Sequence, residues 1–251
     1  MAPTVYLISG ANRGIGLALV KALAMREGAI VFAGARNPEG ATELRELAAA
    51  QAPGKVHVVK LVSSDKPGNE AAIEEVKSKA GRLDVVIANA GISQYYGRGV
   101  DAPPESFREH FEVNVVGTLV LFQASLELLK ASTRAPKFVI ISSGAGSITE
   151  GAQMSLGMLP YGVSKAAENY LARKLHFEHE QDGLIVFPLN PGATETDLAK
   201  GAFAGDEKGM QGIGFKSADE CATQLLSVID RATRDEEGGQ FVNFDGERRP
   251  W

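Results

Sequence analysis

The sequence predicts an α/β fold, a seven-stranded parallel sheet wound by helices on both faces, and three observations predict it. Seven short apolar runs rich in β-branched residues alternate with longer amphipathic stretches, the order expected when each strand feeds a right-handed crossover helix. Several runs are apolar on consecutive positions, as in Val85-Val86-Ile87 and Val139-Ile140-Ile141, which suits strands covered on both sides. No stretch rich in Pro, Gly or Ser divides the 251 residues, so residues 1–251 read as one domain.

The first strand is read over residues 4–9 and leads through a glycine-rich turn into a helix over 14–27. Further strands are read over 29–34, 55–61, 83–88, 137–142, 184–189 and 240–244. Helices fill the intervals at 39–51, 69–80, 106–130, 161–181 and 217–233. Segments 148–160 and 199–215 are Gly-containing and irregular, the kind of loop that serves as a lid or binding segment. Phe111, Val115, Leu119 and Phe122 fall near one face of the 106–130 helix, a stripe that meets either the sheet or a second copy of the chain.

Composition narrows the function. A chain of this size buries about three quarters of its unfolded surface, enough for a self-sufficient core. A formal net charge of −5 argues against a nucleic-acid partner, because phosphate affinity needs a basic face. No run of 18 or more apolar residues occurs, so no membrane span is predicted. The N-terminus has no basic segment before its apolar run, so no signal peptide is read there. Cys221 is the single cysteine, which excludes an internal disulfide and fits a reducing compartment; the cytoplasm is the expected location. His57, His110, His176 and His179 form no ligand set, so no metal is expected, and the last two read as a solvated helix surface. Without a Gly-x-Ser-x-Gly motif, a nucleophile-elbow hydrolase has no support.

Between the first strand and first helix lies Ser9-Gly10-Ala11-Asn12-Arg13-Gly14-Ile15-Gly16. Gly10 permits a tight turn, Gly14 lets backbone approach a pyrophosphate, and Gly16 allows close helix–strand contact. The helix start then offers free N–H groups and a positive dipole end to phosphates. An NAD site usually carries an acid at the end of the second strand to grip the ribose; here Ala35-Arg36-Asn37 stands instead. A guanidinium at that point suits a 2′-phosphate, and Arg13 could close on the same group, so the expected cofactor is NADP(H).

Tyr161-Gly162-Val163-Ser164-Lys165 opens the helix before the sixth strand. Positions i and i+4 share a helical face, so phenol and ammonium can be neighbours. A tyrosine left to itself titrates near pH ~10, and an adjacent ammonium favours the phenolate, drawing that value toward the working range. Such a pair can pass a proton to or from a substrate oxygen.

The glycine loop, the Tyr-x3-Lys pair and the strand order together resemble the short-chain dehydrogenase/reductase family over nearly the whole chain. Further motifs occur in the family's order: Asn89-Ala90-Gly91, Asn114 in Val113-Asn114-Val115, Ser142-Ser143, and Pro191-Gly192-Ala193-Thr194-Glu195-Thr196. The resemblance implies a Rossmann-type doubly wound domain and reduction of a small-molecule carbonyl by NADPH. It implies Tyr161 as the acid, with Lys165 lowering its pKa and binding the ribose. By the same resemblance Ser143, rather than Ser142, bonds the substrate oxygen, and Asn114 holds a relay water. It further implies that Gly10, Asn12, Arg13, Gly14, Ile15, Gly16, Arg36, Val62, Asn89, Ala90, Gly91, Pro191, Gly192, Thr194 and Thr196 surround the cofactor. The family commonly pairs through its long helices, so a homodimer or homotetramer is implied without being fixed.

Two departures from the family stand out. Val62 replaces the usual aspartate facing the adenine, which implies modestly weaker cofactor binding, and Asp65 reads as a solvated turn residue. The segment between Ser143 and Tyr161 is long and holds Met154, Leu156, Met158 and Leu159, which line a bulky substrate pocket or pack on the next helix; Tyr95 and Tyr96 are candidate walls. The ending Phe244–Trp251 resembles the branch of norsolorinic-acid-type ketoreductases and C-factor-like proteins, implying an aromatic or polyketide ketone. Two rivals remain: a non-catalytic NADP(H)-binding redox sensor, and an isomerase or dehydratase that recycles its cofactor.

Overall fold

In the computed structural model, which describes residues 2–202 and 214–251, the strands are β1 (Thr4–Ile8), β2 (Ala29–Ala35), β3 (Val56–Lys60), β4 (Val85–Ala88), β5 (Lys137–Ile141), β6 (Ile185–Asn190) and β7 (Val242–Asn243). They form one sheet in the order β3-β2-β1-β4-β5-β6-β7, and every pairing is parallel. The chain steps outward from β1 to β3, then returns to lay β4 on the other side of β1. That reversal opens a crevice at the carboxyl ends of β1 and β4, where ligands bind in sheets of this kind.

Strand pleating explains the two-sided core. Tyr6, Ile8, Ile87, Val139 and Phe187 face one way and pack with Leu19 and Leu23 of α1 (Gly14–Ala24) and Leu225 and Ile229 of α8 (Ala218–Arg231). Their neighbours Val5, Leu7, Val86, Phe138 and Val186 face the other way. There they meet Val76 of α3 (Lys66–Ala80), Leu121 of α5 (Gly117–Lys130) and Ala172 of α6 (Leu159–Glu178). Phe138 has no exposed surface and meets Phe122 edge-on at 5.1 Å. Each such ring contributes roughly 1.5–3 kcal/mol through burial.

Several boundaries differ from expectation for local reasons. The helix read over 39–51 is the shorter α2 (Thr42–Ala49). Helix α3 starts three residues early because Asp65 caps it, accepting from the Gly68 amide at 3.2 Å, with a proline in the first turn. Asp65 is therefore a helix cap, not a free turn residue. Residues 104–130 form one long helix whose parts are α4 (Pro104–His110), a π-helical segment (Phe111–Val116) and α5. The π segment shifts the helical phase, so the expected stripe divides: Phe111 is exposed, whereas Val115 and Phe122 are buried. This helix is long and apolar enough to cross a membrane by length and composition, and more than half of its apolar window is buried inside the fold. Part of the segment read as loop 199–215 belongs to α7 (Asp197–Ala202); residues 203–213 lie outside the described residues.

His176 is buried, not solvated. The Val186 amide donates to its Nδ1 at 3.4 Å, and burial, reinforced by the Arg234 charge, lowers its pKa to about 4. The end of the chain folds back over the loop that follows β5. Ser147 donates to the Pro250 carbonyl at 2.9 Å, the Thr149 amide donates to the Trp251 carbonyl at 2.8 Å, and Arg249 pairs with Glu150. Trp251 stacks on Phe241 at 5.9 Å, and the Arg173 guanidinium lies 5.2 Å from its ring centre.

Candidate active site

The crevice at the carboxyl end of β1 is floored by the glycine loop. Gly10 is left-handed (φ 64°), and a Cβ there would lie 2.9 Å from Ala90 Cα, so only glycine fits. A Cβ on Gly16 would lie 2.3 Å from the Gly10 carbonyl, which keeps α1 tight against the loop. Gly14 is also left-handed (φ 54°), and the nearest atom to its missing Cβ is the Thr196 methyl at 3.4 Å. The N-cap residue Arg13 makes no side-chain capping bond, so among the described residues no N-cap side chain takes the first-turn amides of α1 from an anion. These features fit a dinucleotide diphosphate.

Asn89 and Ser9 hold the cradle rigid. The Asn89 side chain donates to the carbonyls of Ser9 (3.0 Å) and Gly10 (3.1 Å), while the Ser9 hydroxyl accepts from the amides of Asn89 and Ala90 (both 3.0 Å). Arg36, at the end of β2, is exposed and makes no ion pair among the described residues. Arg13 instead reaches across the crevice to Asp197, 3.0 Å away. The Val62 carbonyl is occupied by Asn69 Nδ2 (2.8 Å) and the Asp65 amide (3.3 Å). Val62 and Ser63 line a small crevice with Gly117 and Thr118.

At the ends of β5 and β6 the two serines part company. Ser142 is buried and donates to Asn169 Oδ1 at 2.6 Å. Ser143 is partly exposed and accepts from the Ala145 amide at 3.2 Å, starting the turn Gly144–Gly146 that packs on α6. Tyr161 and Lys165 lie on the buried face of α6, with Lys165 Nζ 5.7 Å from the Tyr161 ring centre. Lys165 donates to the Ile141 carbonyl at 2.9 Å, and a Cβ on Gly91 would lie 3.6 Å from Nζ. Asn114 sits in the π segment; its amide donates to the Ile92 carbonyl (3.0 Å) and Ser164 Oγ (2.9 Å) and accepts from the Ile92 amide (2.8 Å). Both amide protons are therefore engaged, fixing the strand β4 exit against α6.

The segment after β6 closes the site. The Thr196 hydroxyl accepts from the Ala199 amide at 3.2 Å and caps α7, while Thr194 donates to the Gly192 carbonyl at 3.3 Å. Gly192 is left-handed (φ 70°). Cys221 is buried and donates weakly to the Pro191 carbonyl at 3.7 Å; burial pushes its thiol up.

Tyr96 donates to the carbonyls of Ser93 (2.7 Å) and Leu198 (3.2 Å), bridging the loop after β4 to α7. Burial raises its pKa, and its interaction with Tyr161 adds to the rise. Tyr95 turns away to the Arg98 carbonyl. Met154, Leu156, Met158 and Leu159 line a groove of about 590 Å³ with Gly97 and Val163, on the outer side of α6; neither Tyr161 nor Ser143 lines it.

Sequence reasoning missed three contributors. Glu168, buried in α6, lies 2.6 Å from Lys165 Nζ and accepts from Thr118 Oγ1 at 3.1 Å. Burial opposes the Lys165 charge, but Glu168 and Tyr161 outweigh it and hold its pKa above the ordinary range. Asn190 accepts from the amides of Gly144 (2.9 Å) and Gly192 (3.3 Å) and donates to Asn243 Oδ1 (2.7 Å), binding two turns and β7 to one side chain. His110, fully buried, donates through Nδ1 to the Ser106 carbonyl and accepts the Gln94 amide on Nε2 at 3.1 Å. Only Glu168 left a readable signal, its i+3 spacing from Lys165.

The family profile described as short chain dehydrogenase matches residues 4–207. An oxidoreductase of Schizosaccharomyces pombe is 38% identical over 98% of both chains. The norsolorinic acid ketoreductase of Dothistroma septosporum is 36% identical over 99% of this chain and 92% of that one. The NADPH-bound carbonyl reductase from chicken fatty liver superposes with a TM-score of 0.88 at 29% identity, covering 100% of both chains. By sequence and by fold the chain belongs to the short-chain dehydrogenase family, in the branch that holds the norsolorinic acid ketoreductases, and is an oxidoreductase acting on carbonyl or alcohol groups.

Proposed function

We propose that the protein reduces a ketone with NADPH, Tyr161 supplying the proton. The observation that carries this reading is the convergence of Tyr161, Lys165 and the Gly91 backbone beside the glycine cradle, at the carboxyl ends of β4 and β5. The first-turn amides of α1 would hold the diphosphate, Arg36 the 2′-phosphate, and Lys165 the nicotinamide ribose. When bound, NADPH supplies the hydride. The Ser143 hydroxyl would donate to the substrate oxygen as charge develops on it, and Tyr161 would then deliver its proton there. The carbonyl reductase neighbour favours a carbonyl and the ketoreductase relatives a ketone, and the resemblance of the ending Phe244–Trp251 to that branch favours an aromatic or polyketide one.

NADPH consumption by the purified protein across aromatic ketones, quinones, aldehydes and aliphatic ketones, beside Tyr161→Phe, tests the reading. Turnover that disappears in the variant while NADPH still binds supports it. Turnover that survives in the variant refutes Tyr161 as the acid, and saturable binding with no turnover on any class favours a redox sensor.

A further inference from the structure

A carboxylate next to the lysine of a Tyr-x3-Lys pair changes what that lysine does. An ammonium alone stabilises a nearby phenolate; an ammonium closely paired with a carboxylate presents far less field. Glu168 is such a carboxylate: about 1% exposed, 2.6 Å from Lys165 Nζ, and inside the fold where water screens little. Its other oxygen accepts from Thr118 Oγ1, so the side chain is held in place from α5. Among the described residues Lys165 pairs with no other acid.

The surroundings leave this pair in control. The ionisable groups facing it from α6 are Tyr161 and Lys165 themselves, and Tyr96 approaches Tyr161 from the loop after β4. From α5 comes the neutral Thr118, and from β5 the Ile141 carbonyl. His110 of α4 is committed to Ser106 and Gln94, and Glu105, Arg108 and Glu109 on α4, with Glu112 in the π segment, are exposed. The core-facing part of β6 carries no ionisable side chain. Burial is the largest influence on the Glu168 carboxyl and raises its pKa; Lys165 and the Thr118 hydroxyl oppose that rise without cancelling it.

We propose that Glu168 is a positioning residue that masks the Lys165 charge and so keeps Tyr161 in the protonated form that reduction of a carbonyl requires. The pairing biases the site toward reduction at neutral pH, because the reverse reaction needs the tyrosine as a base. The proposal rests on the reading of Tyr161 as the acid, and its test separates the two. Glu168→Gln keeps shape and an acceptor for Thr118 but removes the charge; Glu168→Asp keeps the charge.

The pH profile of kcat/KM for ketone reduction is measured for wild type, Glu168→Gln and Glu168→Asp. In parallel, phenolate absorbance is titrated without substrate, with Tyr161→Phe identifying the signal that belongs to Tyr161. In Glu168→Gln both the basic limb and the Tyr161 signal move down by about one pH unit or more, and Glu168→Asp restores most of the wild-type position. Coincident curves for wild type and Glu168→Gln, or movement to higher pH, overturn the proposal. If Tyr161→Phe still turns over, the reading of Tyr161 fails, while the phenolate titration still decides whether Glu168 masks Lys165. If Glu168→Gln fails to fold, the wild-type and Glu168→Asp titrations compared with Thr118→Val decide it: loss of the Thr118 bond loosens Glu168 and moves the Tyr161 signal down, and no movement overturns the proposal.

Discussion

Arg13 and Asp197 stand 184 positions apart in sequence and meet at 3.0 Å across the mouth of the cofactor crevice. Arg13 belongs to the glycine loop and Asp197 to the first turn of α7, so a 2′-phosphate arriving near Arg13 competes with a carboxylate already there. Asp197→Asn removes that competitor. NADPH should bind about two- to fivefold more tightly and NADH should not change, because an exposed ion pair is weak. Fluorescence titration of both cofactors checks it; equal gains for the two would show that the pair acts on something other than the 2′-phosphate.

Arg36 carries the stronger prediction for cofactor choice. It is exposed just after β2 and makes no ion pair among the described residues. A charge-assisted contact is worth about 1.5–3 kcal/mol, so Arg36→Ala should weaken NADPH binding by roughly tenfold or more and leave NADH nearly untouched. A ratio of the two dissociation constants that stays at the wild-type value would remove Arg36 from the site.

Asn89 ties the glycine loop to the end of β4 through two donated hydrogen bonds. Asn89→Ala leaves the carbonyls of Ser9 and Gly10 without those partners, at a cost of about 1–3 kcal/mol. Urea unfolding with and without saturating NADPH measures both the loss and how far bound cofactor recovers it.

His176 predicts a pH dependence of stability. Its folded pKa, about 4, lies below the ordinary value of 6.5. The unfolded chain therefore takes up a proton that the folded chain refuses, and stability present above pH 6.5 is lost progressively as pH falls toward 4. His176→Asn, which keeps an acceptor for the Val186 amide, should flatten that slope in denaturation midpoints taken across the same window. An unchanged slope would assign the acid sensitivity to other groups.

Strands were legible in the sequence because two-sided burial leaves consecutive apolar residues, and the glycine loop because its backbone conformations exclude other residues. Helical spacing put Tyr161 and Lys165 on one face, and the glycine loop and strand order singled the pair out. Other features were hidden by physics that composition does not record. The π segment shifts phase without a marker residue, so the stripe from Phe111 to Phe122 looked continuous. His176 looked solvated because its helical face is polar, yet β6 and the 234–239 turn cover it. Glu168 went unread because one partner, Lys165, already had another task and the other, Thr118, lies 50 residues away. Met154 and Met158 were read as lining a substrate pocket or packing on the next helix, and they line a groove that neither Tyr161 nor Ser143 borders.

Asn190 has a practical consequence for anyone redesigning this enzyme. One amide group anchors the turn behind Ser143, the Gly192 turn that follows β6, and Asn243 of β7. Remodelling the 144–158 segment pulls on that amide and is transmitted to the Gly192 turn. The loop after β5 and the turn after β6 are thus mechanically geared, and libraries that vary the two segments together will find solutions that sequential optimisation misses.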